Sequence, residues 1–226
     1  METTNDVTRP PLPSIGAVYS FGWQQMKKYF LELLLLAFIG SLINIPMGWP
    51  YGGNIEDWQW QEYMSFTDRL FPLAYWILLV TPLEYGITLL YLKAVRGQKF
   101  EFREIIVGFN QFIDVIFSRI LVMGIVGIGF ILLIIPGIVF LVKLSLVPYL
   151  VMDKKMDAIG AVKESWRLTN GHGWTIFGMA LLAIPIFFGG LIVMIVGVIV
   201  AIIWIECAFA SIYFALTGTP ASSETE

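Results

Sequence analysis

Four ionisable side chains interrupt the long apolar segments of this sequence, namely Glu84, Arg119, Lys143 and Glu206. A charge at the centre of a bilayer costs about 3 kcal/mol on insertion scales, so such residues normally pair or line a polar path. Counted from the basic end of each apolar segment, Glu84, Lys143 and Glu206 lie about eight to eleven residues deep, roughly 12–17 Å, and Arg119 is slightly shallower. The sequence therefore predicts a paired intramembrane network, with Lys143 within ion-pair reach of one of the two acids.

Two roles are open for this network. One is a binding or relay site for a polar headgroup, an ion or protons. The other is a set of interhelical contacts that fixes which spans touch, because buried polar side chains hold membrane helices together. The two acids and two bases balance, which leaves no spare charge for a ligand, so the structural role is favoured.

The residue sets of common active sites are missing from the sequence. It contains no Ser-His-Asp set, no Walker loop and no metal motif. Cys207 and His172 are its only cysteine and histidine, which is too few soft ligands for a zinc or iron–sulfur site. The net charge of −3 argues against a nucleic-acid partner. We therefore expect no enzymatic activity, no cofactor and no metal.

The composition indicates which elements must position the four charges. Hydrophobic residues make up 58% of the chain, charged residues only 14%, and the mean hydropathy is +0.77. A soluble domain of this length could not cover so much apolar surface. Because a helix needs about 20 residues to cross a bilayer, the pattern predicts an all-α integral membrane protein with six spans. We place them at about 31–49, 70–92, 113–135 and 138–152, with two more between 174 and 216. The predicted reversals are Pro136-Gly137 and a point between Gly189 and Gly197.

The basic residues predict the orientation of these spans, because Lys and Arg concentrate in cytoplasmic loops. In the six-span scheme all those near span ends fall on one side except Arg69. Both termini and residues 93–111 and 153–173 are therefore expected in the cytoplasm. The loop around Arg69 is expected outside, with its aromatic residues among the headgroups: Trp49, Tyr51, Trp58, Trp60 and Tyr63.

A repeated unit is suggested by the segment IGAV, which occurs at 15–18 and at 159–162. An amphipathic stretch precedes each pair of spans, with apolar residues at the three- and four-residue spacing of an interfacial helix. The three apolar faces are Ile15, Val18, Tyr19, Gly22, Trp23 and Met26; Phe102, Ile105, Ile106, Phe109 and Phe112; and Met156, Ile159, Val162 and Trp166. The predicted unit is a cytoplasmic surface helix followed by a two-span hairpin. Trp23, Trp166 and Trp174 are its candidate interfacial anchors.

The predicted domain organisation follows from this unit. Residues 15–217 form one membrane domain with pseudo-repeats at about 15–92, 101–152 and 154–217. The polar residues 1–14 and 218–226 are expected to be a disordered leader and a disordered tail.

One region resembles a known family. The residues Ile135-Pro136-Gly137, then Ala161, Ser165, Trp166, Leu168 and Thr169, then Gly171 and Trp174, resemble a large uncharacterised family of bacterial multi-span membrane proteins. Related domains form the membrane portion of some glycerophosphodiester phosphodiesterases. A looser similarity runs from about residue 82 through Gly86, Arg96-Gly97 and Phe109. The resemblance implies a multi-span fold in a bacterial inner membrane. It does not imply the phosphodiesterase activity, because those enzymes carry their chemistry in a separate soluble barrel for which this sequence has no long soluble stretch.

These observations lead to two expectations for function. The first is a non-enzymatic inner-membrane protein that acts in envelope homeostasis, interacts with lipids or serves as an accessory or scaffold subunit. Membrane lipids are its expected partners, and a protein partner stays open. The alternative is a transporter of a small polar or lipid-derived substrate through a site near Glu84, Lys143 and Glu206. An open polar cavity there would favour transport, and a sealed bundle would favour a scaffold.

Overall fold

The computed structural model describes residues 13–48, 66–99, 101–192 and 194–218, and every regular element in these ranges is helical. The elements are α1 (Ile15–Lys28), α2 (Phe30–Gly48), α3 (Phe66–Tyr75), a π-helical turn (Trp76–Val80), α4 (Thr81–Val95), a 3₁₀ helix (Phe102–Gln111), α5 (Phe112–Leu132), α6 (Ile134–Leu144), α7 (Val147–Lys154), α8 (Ala158–Leu168), α9 (Gly173–Ile192) and α10 (Met194–Thr217). The predicted aromatic loop at 49–65, nearly all of the leader and nearly all of the tail lie outside these ranges.

Five helical segments in the described ranges are long and apolar enough to cross a membrane. They are Pro72–Val95, Phe102–Leu132, Ile134–Lys154, Gly173–Ile192 and Gly197–Thr217. Together they indicate a membrane protein. The helix at the first predicted span, α2, has a shorter apolar part, Phe30–Asn44. At 1.5 Å per residue this part is roughly 22 Å long, against a hydrocarbon core of about 30 Å. The count of six spans therefore stays a prediction.

The reversal predicted at Pro136-Gly137 is wrong by three residues, because the helix breaks at Leu133. This residue is extended, with φ of −167° and ψ of 155°. Pro136 instead lies in the first turn of α6, where its missing N–H has no intrahelical partner to lose. Gly137 lets α5 and α6 pack closely, because a Cβ at this position would touch the ring of Phe130.

The turn at Leu133 has an entirely apolar surface. Five consecutive residues, 131–135, are each at least 67% exposed, and all are Ile or Leu. The backbone of the central residue is nevertheless satisfied. Leu133 N–H donates to the Gly129 carbonyl at 3.0 Å, and the Leu133 carbonyl accepts from Gly137 N–H at 3.3 Å.

The boundary between α9 and α10 falls within the window predicted between Gly189 and Gly197, since α9 ends at Ile192 and α10 begins at Met194. The two helices pack along each other. Gly190 permits this close approach, because a Cβ at this position would lie 2.5 Å from the Gly197 carbonyl oxygen.

Helix α10 is the centre of the described packing and contacts α1, α2, α4 and α9. Its contact with α1 is close at Gly22, where a Cβ would lie 3.0 Å from the Ala208 nitrogen. Tyr19 joins three helices, because its hydroxyl donates to the Met179 carbonyl at 2.9 Å and its own carbonyl accepts from Trp204 Nε1–H at 3.0 Å. Burial raises the pKa of Tyr19 to about 12, so the phenol remains a donor at neutral pH.

The first predicted surface helix therefore packs its apolar face against protein. Val18, Tyr19 and Met26 are buried, and the face contacts α10. Expecting lipid to cover this face was wrong, because sequence periodicity shows that a face is apolar but not what covers it.

The second predicted surface helix has a different period from the one assumed. Residues 102–111 form a 3₁₀ helix, which has 3.0 residues per turn, so side chains three apart share a face. Ile105 and Gly108 are buried on that face, while Ile106 is 60% exposed. The 3₁₀ helix lies against α4 at two glycines. A Cβ on Gly86 would meet the Ile105 carbonyl, and one on Gly108 would meet the Pro82 carbonyl.

The third predicted surface helix packs a face of small side chains against protein and leaves part of its predicted apolar face exposed. Helix α8 turns Ala158, Ala161 and Ser165 inward, whereas Ile159 and Trp166 are 49% and 42% exposed. Small side chains let α8 lie close to α5 and α7, so packing selects them over the larger apolar residues.

Candidate functional site

A groove between α2, α4 and α10 contains the two intramembrane acids. Its volume is about 1090 Å³, and its lining includes the carboxylates of Glu32, Glu84 and Glu206 but no Lys or Arg among the described residues. We call it the acidic groove. Along α2 it runs from Leu31 to Asn44, a length of roughly 20 Å at 1.5 Å per residue. The remaining lining is mainly aliphatic. It also includes four polar side chains, Ser41, Asn44, Thr88 and Tyr91.

Glu84 lines this groove while forming an ion pair with Arg119. Arg119 Nη2 lies 3.5 Å from Glu84 Oε2, which is long for a charge-assisted hydrogen bond. The guanidinium carbon also lies 4.6 Å from the ring centroid of Trp76, a cation–π distance. Arg119 Nε is buried and has no hydrogen-bond acceptor among the described residues. The structure thus brings together one predicted acid and one predicted base.

The π-helical turn helps to place Trp76 beside Arg119. A π turn inserts one extra residue into a helix and changes the direction of the side chains around it. Thr81 Oγ1 donates to the Trp76 carbonyl at 3.0 Å, which satisfies a backbone acceptor at this irregular turn. The neighbours of Glu84 and Arg119 also join α4 to α5, because the hydroxyls of Tyr85 and Ser118 are hydrogen-bonded at 3.1 Å.

Glu206 has a different environment, although it lines the same groove. It is half-buried on α10 and forms no ion pair or hydrogen bond with any residue that the structure describes. Glu84, which shares the lining, adds a second negative charge. An isolated charge in an apolar setting is costly, so this carboxyl group ionises most readily when a cationic ligand lies beside it.

Lys143 lies away from both acids, so the predicted four-residue network is wrong. Lys143 Nζ donates to Asn170 Oδ1 at 3.4 Å and sits 5.5 Å from the Trp166 ring centroid. No carboxylate in the described ranges forms an ion pair with it. Its helix, α6, packs against α5, α8 and α9, whereas the acids lie on α4 and α10.

Lys143 has polar neighbours that counting along one helix does not reveal, because α8 and the loop after it lie against the end of α6. Helix α6 ends at Leu144, and α7 begins at Val147. Helix α8 folds back onto this break, where Ser165 Oγ donates to the Lys143 carbonyl at 2.7 Å. The polar loop after α8 therefore reaches the Lys143 side chain through Asn170.

The three candidate anchors differ in exposure. Trp23 packs against Trp204 with ring centroids 4.8 Å apart, so protein covers part of it. Trp166 is 42% exposed and Trp174 is 86% exposed. The exposed pair fits an interfacial position, which stays a prediction for all three.

Sequence reasoning missed a bidentate charged contact whose two side chains are only 19% and 17% exposed. Arg96, just after α4, forms two hydrogen bonds to Asp153 at the end of α7, with distances of 2.5 Å and 2.7 Å. Tyr213 Oη on α10 donates to Asp153 Oδ2 at 2.8 Å. We call these three residues the clamp. A signal was available, since Arg96 and Asp153 both end predicted spans on the same side. Arg96 was used in the sequence analysis only as a loop charge for orientation, and Asp153 was not considered.

The outer side of α8 carries a second ion pair. Arg167 donates to both oxygens of Glu164, at 2.7 Å and 2.8 Å. These hydrogen bonds hold the pKa of Glu164 below its ordinary range.

The acidic groove is thus the arrangement with the clearest capacity for binding. Unpaired Glu206 would attract a cation, and the apolar lining would accept a hydrocarbon chain. Comparisons with protein-family models, with curated proteins and with solved structures gave no match to this chain. The resemblance to the membrane domains of glycerophosphodiester phosphodiesterases therefore stays a prediction.

Proposed function

We propose that this chain is a non-enzymatic, lipid-interacting membrane protein whose acidic groove binds an amphiphile with a positively charged headgroup. The observation that carries the proposal is Glu206, a carboxylate that lines the groove without a cationic partner among the described residues. In this proposal Glu206 binds the headgroup, and the aliphatic side chains of α2 and α10 contact the hydrocarbon tail. Glu84 is already paired with Arg119, so Glu206 is the acid that is available to a ligand.

A binding measurement tests this proposal directly. The probe is dodecylammonium, added below its micelle concentration to the full chain in non-ionic detergent, with dodecanol as the uncharged analogue. We expect dodecylammonium to raise the thermal unfolding midpoint and to appear as a bound adduct in native mass spectrometry. Glu206→Gln keeps the side-chain volume and should weaken binding by about tenfold or more, the effect of losing one charge-assisted contact.

The matched control is Asp114→Asn, which neutralises a carboxylate that is not part of the groove lining. This variant should bind dodecylammonium like the wild type. Equal binding of dodecanol and dodecylammonium, or undiminished binding by Glu206→Gln, would remove the basis of the proposal.

The proposed location is a bacterial cytoplasmic membrane with both termini in the cytoplasm. It is supported by the lopsided distribution of Lys and Arg around the apolar segments. The test is thiol labelling of Gly160→Cys in a Cys207→Ser background. An impermeant reagent added outside intact cells should leave position 160 unlabelled, and labelling there would contradict the six-span orientation.

Transport is the second candidate function, and the same carboxylate favours it. Unpaired acids inside membrane spans commonly mark ion and substrate paths. Proteoliposomes with radiolabelled ethanolamine outside distinguish the two functions. Uptake that exceeds equilibrium binding and disappears in Glu206→Gln would establish transport. Saturable binding without uptake would support the lipid-interacting function.

A further inference from the structure

A second groove lies between α6 and the beginning of α9 and has the opposite charge. Its volume is about 500 Å³. Lys143 is its charged residue, and the described lining contains no carboxylate. Ile135, Val139, Val142 and Phe177 form much of its apolar wall. We call it the basic groove.

The ammonium group of Lys143 has only neutral partners among the described residues. Its hydrogen bond to Asn170 is long, at 3.4 Å, and its other contact is the face of Trp166 at 5.5 Å. An ammonium group has three donors, so it can still bind an anion. Ser165 Oγ donates to the Lys143 backbone carbonyl, and Lys143 itself is part of the groove lining.

The polar end of the basic groove has a shape that suits a phosphate group. Gly171 and Gly173 line it, and Gly171 has φ of 84°, a left-handed conformation that favours glycine. Without side chains at these positions an anion can approach the first N–H groups of α9, which add to the attraction of Lys143. Trp174, 86% exposed, lies at the same rim, where an aromatic ring can contact a headgroup.

We propose that the basic groove binds an anionic phospholipid, with the lipid phosphate at Lys143 and an acyl chain along α6. Charge complementarity selects the headgroup, and the aliphatic wall that begins beside Lys143 selects a lipid over a water-soluble anion. This site is separate from the acidic groove in position and in ligand charge. Its test can succeed or fail whatever the acidic groove binds.

The experiment uses the delipidated full chain in non-ionic micelles, with native mass spectrometry and thermal unfolding as readouts. The probe is dioctanoylphosphatidylglycerol, compared with dioctanoylglycerol, which lacks the phosphate, and with inorganic phosphate, which lacks the chains. We expect only the phospholipid to bind and to stabilise the protein. Lys143→Gln should weaken its binding by about tenfold or more, and Lys143→Arg should largely retain it.

Two further variants keep the outcome clear. Lys163→Gln removes an exposed lysine of α8 outside the groove and should bind like the wild type. Val139→Trp keeps Lys143 but fills the groove from a position that is 43% exposed, so it should fold and lose binding. Undiminished phospholipid binding in both Lys143→Gln and Val139→Trp would overturn the proposal. So would equal binding of dioctanoylglycerol, or full competition by inorganic phosphate. Glu206→Gln should leave this binding unchanged, which separates the two grooves.

Discussion

The acidic and basic grooves both have a mainly apolar lining, but their charged residues have opposite signs. In the acidic groove, between α2, α4 and α10, three carboxylates line an aliphatic space without a Lys or Arg in the described lining. In the basic groove, between α6 and α9, one lysine lines an aliphatic space without a carboxylate. The balance of two acids and two bases in the sequence therefore does not mean that all four neutralise one another. Only Glu84 and Arg119 pair, which leaves a carboxylate in one groove and an ammonium in the other.

The largest expected effect comes from the clamp, which joins α4 and α10 of the acidic groove to α7, the helix that follows α6 of the basic groove along the chain. Asp153→Ala removes two hydrogen bonds from Arg96 and one from Tyr213. The two charged side chains are only 19% and 17% exposed, so we expect the free energy of unfolding to fall by about 3–5 kcal/mol. Reversible unfolding in mixed micelles measures it, and both probe ligands should lose binding together.

The matched control for the clamp is Glu101→Gln. It breaks the pair with Arg103, whose side chains are 64% and 81% exposed, and should cost less than about 1 kcal/mol. If Asp153→Ala abolished binding in one groove and left the other intact, the two grooves would not depend on one clamped unit.

A smaller effect is expected from Gly86→Ala, which should disturb the acidic groove alone. A Cβ at Gly86 would collide with the Ile105 carbonyl, and backbone atoms cannot rotate away. We expect a loss of about 1–3 kcal/mol and weaker dodecylammonium binding, with the basic groove unaffected. Gly124→Ala is the control, since no atom lies within 4 Å of its added Cβ. Equal stability of the two variants would show that α4 and the 3₁₀ helix do not pack closely.

The separation of the charges predicts additivity. Lys143→Gln loses one long hydrogen bond and one cation–π contact, so we expect a cost below about 1.5 kcal/mol. Adding Glu206→Gln should change stability by the sum of the single effects, within about 0.5 kcal/mol, because the two residues share no partner. A double variant clearly more stable than that sum would mean that Lys143 and Glu206 do pair.

The smallest expected effect is a pH dependence of stability that comes from the Glu164–Arg167 pair on α8. The pKa of Glu164 is held below its ordinary value of 4.5 by hydrogen bonds from Arg167. The contribution of this pair is therefore fully present above about pH 4.5 and is lost as the pH falls through the folded-state pKa. Since Arg167 is 70% exposed and solvent screens the pair, we expect a change in stability that is only just measurable. Glu164→Gln should slightly flatten the stability profile between pH 5 and pH 3, and an unchanged profile would exclude the effect.

Much of the helical plan follows from hydropathy, because apolar length is set by the bilayer. The segments around α4, α5, α9 and α10 are predicted to within a few residues, and so is the α9–α10 boundary. Of the predicted charge network, the sequence predicts the Glu84–Arg119 pair correctly but not the position of Lys143. Glu84 and Arg119 meet because their helices are neighbours, whereas Lys143 is separated from the acids by its position around the bundle. Residue counting gives depth along one helix and carries no information on which helices are adjacent.

The same limit explains the clamp and the surface helices. Arg96 and Asp153 are 57 positions apart, and only the packing of α4 against α7 brings them together. For α8, periodicity identified the large apolar face, but close contact with α5 and α7 selected the face with Ala158, Ala161 and Ser165. Burial depends on the partner surface, which a single segment does not encode.

The apolar turn at Leu133 has a consequence for how the chain crosses the bilayer. Water is needed at a turn to solvate polar side chains and unpaired backbone groups. Here the surface is five Ile and Leu residues, and Leu133 has both its N–H and its carbonyl bonded within the chain. From this turn the chain continues through α6 and α7, which together form the segment Ile134–Lys154, long and apolar enough to cross a membrane. The exposed Ile and Leu side chains favour contact with acyl chains, so a reversal between two such segments need not contain the polar residues that usually mark a loop.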